Sequence, residues 1–245
     1  MNCVSDFVKR KTLIYRSKVP GCDHAVNHVQ GCSHGCRYPC YAFLMSVKFG
    51  KAKDYQDWIK PKLVLNAVEI IANEISKKRQ RVHKVNLCLM TDPFMYGYED
   101  IQSTSLEIIR ILNEADISCS VLTKGLLPIE LSDMSKNNTY GISLVSVSDE
   151  FRKKYEPGAS NYNERIDCLR KLKDRGCRTY VHMEPYPPPN IFKQDIDRIL
   201  KNISFADEID VGRLNYNNEA AKYEGLRDFY SSLQKRVNDH VNKRF

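Results

Sequence analysis

The sequence lacks the features that would place it in a membrane, an export pathway or a repeat array. No apolar run approaches the roughly 18 residues that a membrane-spanning helix needs. The first residues, MNCVSDFVKRKT, contain no apolar segment of signal-peptide length. Internal repeats and low-complexity segments are also absent. We therefore expect a soluble, cytoplasmic protein without membrane segments, whose 245 residues form one large domain.

Cysteine is abundant, but its pattern does not indicate disulfides. The nine cysteines are an odd number, and no export signal accompanies them. Three of them, Cys32, Cys36 and Cys40, are closely spaced, which is typical of metal ligands. Four others lie within or beside apolar or periodic segments and are expected to be small core residues: Cys88, Cys119, Cys168 and Cys177.

Positive charge is in excess, with a formal net charge of +8. Such a balance fits a polyanionic partner such as nucleic acid. The signal has low specificity, because the charges are dispersed along the chain. Several also fall late in predicted helices, where cations complement the helix dipole in any protein.

Two kinds of apolar segment alternate along the chain. Continuous apolar runs predict strands at 25–32, 85–90, 117–125, 139–148, 177–185 and 208–216. Apolar residues at helical spacing predict helices at 61–78, 103–115, 161–176, 191–203 and 217–243. Pro61 suits the start of its helix, and Ser103 or Thr104 is a suitable cap for the next one.

The order of strand and helix, repeated about six times, predicts an α/β fold with parallel strands. A complete barrel of this type has about eight units, so six units predict a partial (β/α)6 TIM-type barrel. We expect the barrel to span residues 25–216. Residues 1–24 are expected to form a polar, irregular N-terminal extension, and residues 217–245 a C-terminal helical segment packed on the barrel.

The three closely spaced cysteines lie in the segment GCSHGCRYPCYAF (31–43) with C-x3-C-x3-C spacing. A helix would place the three thiols on one face, but the glycines and the proline of the segment argue against a helix. The segment therefore predicts a loop that curls its thiolates around a metal. Thiolates favour an iron–sulfur cluster, and a [4Fe–4S] cluster on three cysteines leaves one iron open. The alternatives are a chance grouping and a zinc site, with a fourth ligand from His24, His28 or His34.

The loop and five further segments together resemble radical S-adenosylmethionine (SAM) enzymes. These segments are MTDPF (90–94), VLTKG (121–125), SLVSVSDEFRKKYEPGA (143–159), NERIDCLRKLKDRG (163–176) and VHMEPYPPPN (181–190). Within that family the chain is similar to the branch that contains spore photoproduct lyase and the "DNA repair photolyase"-like proteins. The family's common motif is C-x3-C-x2-C, and here one residue is added before Cys40. Tyr38 or Tyr41 is expected to make the contact that faces the adenine of SAM.

The resemblance implies a [4Fe–4S] cluster and SAM as cofactors. The open iron would bind the amino and carboxylate groups of SAM, and reductive cleavage would give a 5′-deoxyadenosyl radical that abstracts hydrogen from a substrate. A reductant such as flavodoxin or ferredoxin would be the electron-donating partner. The family and the charge favour a nucleic acid or a nucleotide-like substrate, acted on by a lyase or an oxidoreductase. The alternatives are a peptide, protein or small-metabolite substrate, or a non-catalytic metal-binding module for nucleic acid.

Polar residues at the ends of the predicted strands are where a parallel α/β fold gathers its chemistry. The resemblance implies that they bind SAM as a zwitterion. Thr91 and Asp92 would accept hydrogen bonds from the ammonium group, and Lys124 would pair with the carboxylate. Ser143 would contact the carboxylate or the ribose, whereas Glu156 is expected to brace a loop. The structural alternatives are a turn after a strand, a surface charge and a strand hydroxyl bonded to the backbone.

The resemblance also assigns roles to other strand-end residues, with Glu184 and Tyr216 in catalysis and His182 in cofactor binding. Glu184 would contact the ribose or the substrate, and His182 lies two residues earlier on the same predicted face. Tyr216 would line the substrate end together with Arg213 and Asn215. A core histidine and a turn are the structural alternatives for these positions.

One catalytic residue of the lyase has no clear counterpart. The lyase has a cysteine that donates hydrogen, just before its second-strand motif. Cys88, four residues before Asp92, is the nearest candidate in this sequence. Strand alternation could point its side chain away from the site, so the resemblance does not extend to the repair of thymine dimers.

Overall fold

A seven-stranded sheet organises the fold, which is described here from a computed structural model for residues 3–18, 21–78 and 82–242. The strands are β1 (Asp6–Val8), β2 (Ile14–Arg16), β3 (His24–Val26), β4 (Val29–Gln30), β5 (Lys62–Val64), β6 (Lys84–Leu87), β7 (Ser118–Thr123), β8 (Thr139–Ser143), β9 (Arg178–Tyr186) and β10 (Glu208–Arg213). The main sheet has the order β10-β9-β8-β7-β6-β3-β2. Its first six strands run parallel, and β2 joins the edge antiparallel to β3.

Helices lie between most of the parallel strands and after the last one, whereas β7 and β8 are joined by a 3-10 helix, Ile129–Asp133. The α-helices are α1 (Tyr41–Lys48), α2 (Tyr55–Trp58), α3 (Ala67–Lys78), α4 (Glu99–Glu114), α5 (Asp149–Tyr155), α6 (Tyr162–Asp174), α7 (Ile196–Asn202), α8 (Asn218–Ala221) and α9 (Leu226–Asn242). The parallel sheet and its helices confirm the predicted α/β fold of the partial TIM-barrel type. Within the described ranges, no helix is both long enough and apolar enough to cross a membrane.

Helix α6 shows how local sequence fixes these elements. Its cap, Asn161, accepts a hydrogen bond from the backbone N–H of Asn163 at 2.9 Å, and Glu164 accepts one from the N–H of Asn161 at 3.3 Å. This reciprocal capping box satisfies donors that the first helical turn leaves without partners. Leu169 and Leu172 are fully buried where the helix packs on β8 and β9. Each such leucine stabilises the fold by about 1.5–3 kcal/mol.

The N-terminal segment is more ordered than the predicted irregular extension. Strand β1 pairs parallel with β5, which also pairs with β4, so these three strands form a second, small sheet. The helix predicted to begin at Pro61 therefore starts only at Ala67, because residues 62–64 are recruited into β5. Residues 1–2, 19–20 and 243–245 of the two predicted terminal segments lie outside the described ranges.

The cap predicted at Ser103 or Thr104 is wrong. Helix α4 begins at Glu99, one turn earlier, after Tyr98. Thr104 donates instead to the carbonyl of Asp100 within the helix, at 2.8 Å.

At the far end of the chain, Tyr230 of α9 donates to the carbonyl of Tyr186 at 2.8 Å. This contact packs the C-terminal helix against the sheet. The division of the chain into an N-terminal extension, a barrel and a C-terminal helical segment stays a prediction.

A buried carboxylate ties the N-terminal segment to α3. Oε2 of Glu74 accepts hydrogen bonds from the backbone N–H groups of Leu13 and Ile14, at 2.9 and 2.7 Å. We expect Glu74→Ala to lower the free energy of unfolding by about 2–4 kcal/mol, because two buried donors lose their acceptor. Glu74→Gln keeps an acceptor oxygen and should lose less than half as much. Urea unfolding measures both values, and equal losses in the two variants would contradict this role.

Candidate active site

A cavity of about 620 Å³ opens where the parallel strands of the main sheet end. Thr123 is the last residue of β7 and Ser143 the last residue of β8, and both line it. The cavity also brings together the predicted site residues Cys32, Cys36, Tyr38, Cys40, Tyr41, Thr91, Asp92, Lys124, Ser143, His182, Glu184 and Tyr216. One predicted residue, Cys88, does not line it.

The three cysteines lie in an irregular loop that ends where α1 begins. Gly31 has a left-handed backbone with φ of 82°, and a side chain there would come within 2.7 Å of the carbonyl of Trp58. That same carbonyl accepts a hydrogen bond from the N–H of Cys32 at 2.8 Å. All nine thiols are free, and among the described residues no three His, Cys, Asp or Glu side chains lie close enough to share a single metal ion.

The segment YEPGA (155–159) clamps this cysteine loop from one side. The N–H of Gly158 donates to the carbonyl of His34 at 3.0 Å, and the N–H of Arg37 donates to the carbonyl of Tyr155 at 2.8 Å. A side chain at position 158 would lie 2.1 Å from the carbonyl oxygen of Ser33. Glycine is therefore required here for the two backbones to approach each other.

Glu156, in the same segment, is the centre of a buried ion network. Its Oε1 accepts from the hydroxyl of Tyr38 at 2.6 Å and lies 3.0 Å from Nζ of Lys124. Its Oε2 lies 3.2 Å from both terminal nitrogens of Arg165 and accepts from the hydroxyl of Tyr162 at 3.1 Å. The network supports the bracing role expected for Glu156.

The charges of this network determine each other's protonation. Burial by itself would raise the pKa of Glu156, but Lys124 and Arg165 outweigh burial and lower the pKa to about 2. Burial would also lower the pKa of Lys124, yet the carboxylate of Glu156 raises it above its usual value. Glu156 and Lys124 are therefore both charged at neutral pH.

The sequence pattern did not predict a role for Arg165, although this residue pairs with Glu156 in the buried ion network. The residue is fully buried, and its guanidinium also donates to the carbonyls of Ser143 and Ser160, each at 2.8 Å. It lies in the amphipathic α6, where arginine is common on the solvent-facing side. The sequence indicated its burial only through its position on the apolar face of the helix, one residue before Ile166 and four before Leu169.

Lys124 has two partners within the protein. Besides Glu156, its Nζ donates to Oγ of Ser143 at 2.7 Å, and that hydroxyl in turn donates to the carbonyl of Glu184 at 3.3 Å. A lysine ammonium has three donors. One donor therefore remains beyond these two contacts for a ligand in the cavity, as the predicted pairing with a carboxylate requires.

The carboxylate of Asp92 is occupied by hydrogen bonds that connect two segments of the chain, rather than left open to a ligand. Its carboxylate accepts from the N–H of Phe94 at 2.9 Å, from Oγ1 of Thr123 at 2.6 Å and from the N–H of Lys124 at 2.8 Å. These bonds fix the turn after β6 to the end of β7. Thr91 lies on the same turn and donates to the carbonyl of Val29 at 3.2 Å.

The substrate side contains a histidine between two carboxylates. Nδ1 of His182 lies 2.5 Å from Asp210, and Nε2 lies 3.3 Å from Glu184. Burial would lower the pKa of His182, but the hydrogen bonds to Asp210 and Glu184 raise it to about 9. The imidazolium therefore orients Glu184, whose carboxylate lies over Gly212. Asp210 was not predicted, because it lies on a different strand from His182 and only sheet pairing brings them together.

The tyrosines predicted to contact adenine have different positions. Tyr38 is buried, and its hydroxyl is engaged by Glu156. Tyr41 is half exposed and stacks on Tyr216, with ring centroids 6.3 Å apart. Tyr216 has a left-handed backbone with φ of 60°, which is uncommon for a tyrosine. The Tyr41–Tyr216 pair forms part of the rim of the cavity, whereas Tyr38 belongs to its supporting wall.

Cys88 does not suit the predicted role of hydrogen donor. It is buried in a small apolar cluster with Val29 and Met95, outside the cavity wall, and burial raises the pKa of its thiol to about 12. Its Sγ lies 3.5 Å from Nδ1 of His28. The left-handed backbone of Cys88, with φ of 55°, breaks the strand alternation on which its expected orientation depended.

Two of the three histidines considered as zinc ligands, His28 and His34, have partners of their own. Nε2 of His28 is hydrogen-bonded with Ser105 at 2.8 Å, and Nε2 of His34 accepts from the N–H of Tyr96 at 3.2 Å. Burial lowers the pKa of His28 to about 3 and that of His34 to about 4. Both rings are therefore neutral and are held by the protein itself.

The sequence matches a family model and two curated relatives. Residues 26–203 match the model of the radical SAM superfamily. An uncharacterized protein of Methanocaldococcus jannaschii is 26% identical over 196 residues, which cover 79% of this chain and 70% of that protein. An uncharacterized protein of Acidianus two-tailed virus is 24% identical over 191 residues, which cover 73% of this chain and 61% of the viral protein.

Solved structures share the fold at low sequence identity. Spore photoproduct lyase complexed with dinucleoside spore photoproduct superposes with a TM-score of 0.63 and 16% identity, over 91% of this chain and 65% of the lyase chain. Streptococcus suis SuiB bound to S-adenosylmethionine superposes with a TM-score of 0.53 and 16% identity, over 72% of this chain and 39% of that chain. This chain therefore spans less than two thirds of the lyase.

The ion network around Glu156 predicts acid sensitivity. Folding lowers the pKa of this carboxyl from 4.5 to about 2, so the carboxylate stabilises the fold fully above pH 4.5 and progressively less as the pH falls toward 2. At pH 7 we expect Glu156→Gln to lower the free energy of unfolding by about 3–5 kcal/mol, because Arg165 and Lys124 stay buried without their counter-charge. Denaturant unfolding across this pH range measures both effects.

A matched control is Glu219→Gln, which removes an exposed carboxylate paired with Lys222. Its stability should stay close to that of the wild type, because exposed ion pairs contribute little. A Glu156→Gln variant as stable as the wild type at pH 7, or one with an unchanged loss of stability below pH 4.5, would contradict the role of the network.

Proposed function

This chain belongs to the radical SAM superfamily, and from that premise we propose that its main cavity is the active site of a radical SAM enzyme. Cys32, Cys36 and Cys40 would hold a [4Fe–4S] cluster, and SAM would bind beside it. The observation that carries the proposal is that one cavity contains all three thiols together with the polar ends of β7, β8 and β9.

The donor set fits an iron–sulfur cluster. Three thiols and no carboxylate come from the loop, and thiolates are the preferred ligands of such clusters. Each thiol would bind a different iron of such a cluster, so the three thiols need not converge on one point. When bound, the cluster would supply the electron that cleaves SAM, and the resulting 5′-deoxyadenosyl radical would abstract hydrogen from the substrate. A flavodoxin or ferredoxin would be the reductant.

The side chains of the cavity have separate tasks toward SAM. Thr91 would accept from the amino group, while Lys124 would donate to the carboxylate from a position fixed by Glu156 and Ser143. Glu184, oriented by His182, would accept from a ribose hydroxyl. These residues come from different strand ends, so SAM binds only when the sheet is assembled.

Three observations favour a nucleic acid or nucleotide-like substrate. The Tyr41–Tyr216 pair gives the rim of the cavity an exposed aromatic surface, on which bases can stack. The net charge of +8 favours an anionic partner. The fold is also that of a lyase whose structure contains a dinucleoside photoproduct. The second candidate is the same chemistry on a peptide, protein or small metabolite.

Substitution of the three cysteines tests the cluster. After anaerobic reconstitution, Cys32→Ala, Cys36→Ala and Cys40→Ala should each lose most of the bound iron and sulfide, because each removes one ligand. The control Cys3→Ala changes an exposed thiol near the start of the chain, far in sequence from the other three. This variant should keep both the iron and the sulfide. Iron and sulfide assays together with electron paramagnetic resonance spectra measure the outcome.

Addition of SAM to the reduced wild-type protein then distinguishes a radical SAM enzyme from a non-catalytic nucleic-acid-binding module. The spectrum should change, and 5′-deoxyadenosine should form. A cluster whose spectrum is unaffected by SAM would instead support the non-catalytic nucleic-acid-binding module. Full iron and sulfide content in any of the three variants would exclude that cysteine as a ligand.

A further inference from the structure

A second cavity of about 320 Å³ adjoins the main one. Met90, Thr91 and Trp58 line both cavities, so the two lie on either side of a shared wall. We call the second cavity the side pocket and define it by Arg10, Tyr15, Gln30, Phe49, Lys51 and Trp58. We propose that the side pocket binds one nucleotide unit of a nucleic acid, next to the unit that reacts in the main cavity. The inference rests on the proposed function and specifies its substrate class.

The charge of the side pocket favours an anion. Arg10 and Lys51 line it, and no Asp or Glu is among its described lining residues. The surrounding sequence has the same bias, because residues 24–53 contain no carboxylate at all but include Arg37, Lys48 and Lys53. A phosphate group here would meet cations without a competing acid.

Aromatic faces distinguish this pocket from a plain anion site. Phe49 is 66% exposed and Tyr15 is 42% exposed, so two aromatic rings that line the pocket are open to solvent. Exposed rings beside cations are the platform on which single-stranded nucleic acids stack their bases. The side-chain amide nitrogen of Asn27, which also lines the pocket, offers N–H donors for the edge of a base.

The two cationic segments of the pocket are connected before any ligand binds. The backbone of Arg10 exchanges two hydrogen bonds with the side chain of Asn66, at 3.2 and 3.1 Å. The guanidinium of Arg10 donates to Gln30 at 2.5 Å, and the amide of Gln30 donates to the carbonyl of Lys51 at 2.7 Å. Gln30 thus bridges the N-terminal segment and the loop after α1, which reduces the ordering that binding would require.

The volume of the side pocket and its position beside the main cavity favour one nucleotide over a longer ligand or an acidic peptide. A volume of about 320 Å³ is at the small end of ligand pockets. The shared wall of Met90 and Thr91 would place this unit next to one in the main cavity. An acidic peptide could satisfy Arg10 and Lys51, but it would leave the rings of Tyr15 and Phe49 without stacking partners.

Binding of a short fluorescein-labelled oligothymidylate to the reconstituted protein tests the side pocket by fluorescence anisotropy. Phe49→Leu should weaken binding by about fivefold or more, because it removes one stacking face but keeps an apolar side chain. Lys51→Gln should weaken binding and reduce the slope of log affinity against log salt by about 0.7, which corresponds to one phosphate contact. Both residues are exposed, so the variants should fold.

The control variant is Lys222→Gln, which removes an exposed lysine from the C-terminal region and should leave binding unchanged. A fluorescein-labelled oligoglutamate of the same length should bind at least about tenfold more weakly than the oligothymidylate, because it cannot stack. Equal affinity for the two probes would overturn the proposal in favour of an acidic protein partner. Wild-type affinity in Phe49→Leu and Lys51→Gln, or no binding at all, would also overturn it.

Formation of 5′-deoxyadenosine without the oligonucleotide, measured on the same preparation, separates this proposal from the proposed function. A preparation that cleaves SAM but does not bind the probe contradicts only the side pocket. A preparation that binds the probe with the expected dependence on Phe49 and Lys51, but does not cleave SAM, contradicts only the reaction.

Discussion

The candidate site depends on the buried carboxylate of Glu156. A charge in the protein interior costs several kcal/mol unless it is paired and hydrogen-bonded, and breaking such a pair costs about 3–5 kcal/mol. Glu156 meets this requirement through Tyr38 of the cysteine loop, Lys124 at the end of β7, and Arg165 and Tyr162 of α6. Three distant parts of the chain are therefore held together by one side chain.

This constraint has a direct consequence for binding. Lys124 stays charged inside the protein because Glu156 neutralises it, and the same contact fixes the direction of its ammonium toward Ser143. The cysteine loop is held against the same network by Tyr38 and by the backbone contacts of Gly158. The side chains of the site are thus positioned before any ligand binds, which reduces the cost of ordering them on binding.

The sequence was sufficient to predict the local features of this arrangement. Continuous apolar runs predicted the parallel strands, the glycines and the proline in 31–43 predicted a loop, and polar strand ends predicted most residues of the cavity. Long-range contacts were not predictable in this way. Arg165 and Asp210 acquire their roles from partners on other elements, and residues 62–64 form a strand only because β1 and β4 pair with them. Tertiary pairing there overrides local helical preference.

The most direct test is a crystal structure of the anaerobically reconstituted protein with SAM, with iron located by anomalous diffraction. The account predicts an iron–sulfur cluster bonded to Sγ of Cys32, Cys36 and Cys40, and SAM in the main cavity beside Lys124, which stays paired with Glu156. A single metal ion in the loop, a cluster on other cysteines, or a Lys124 withdrawn from Glu156 would contradict it.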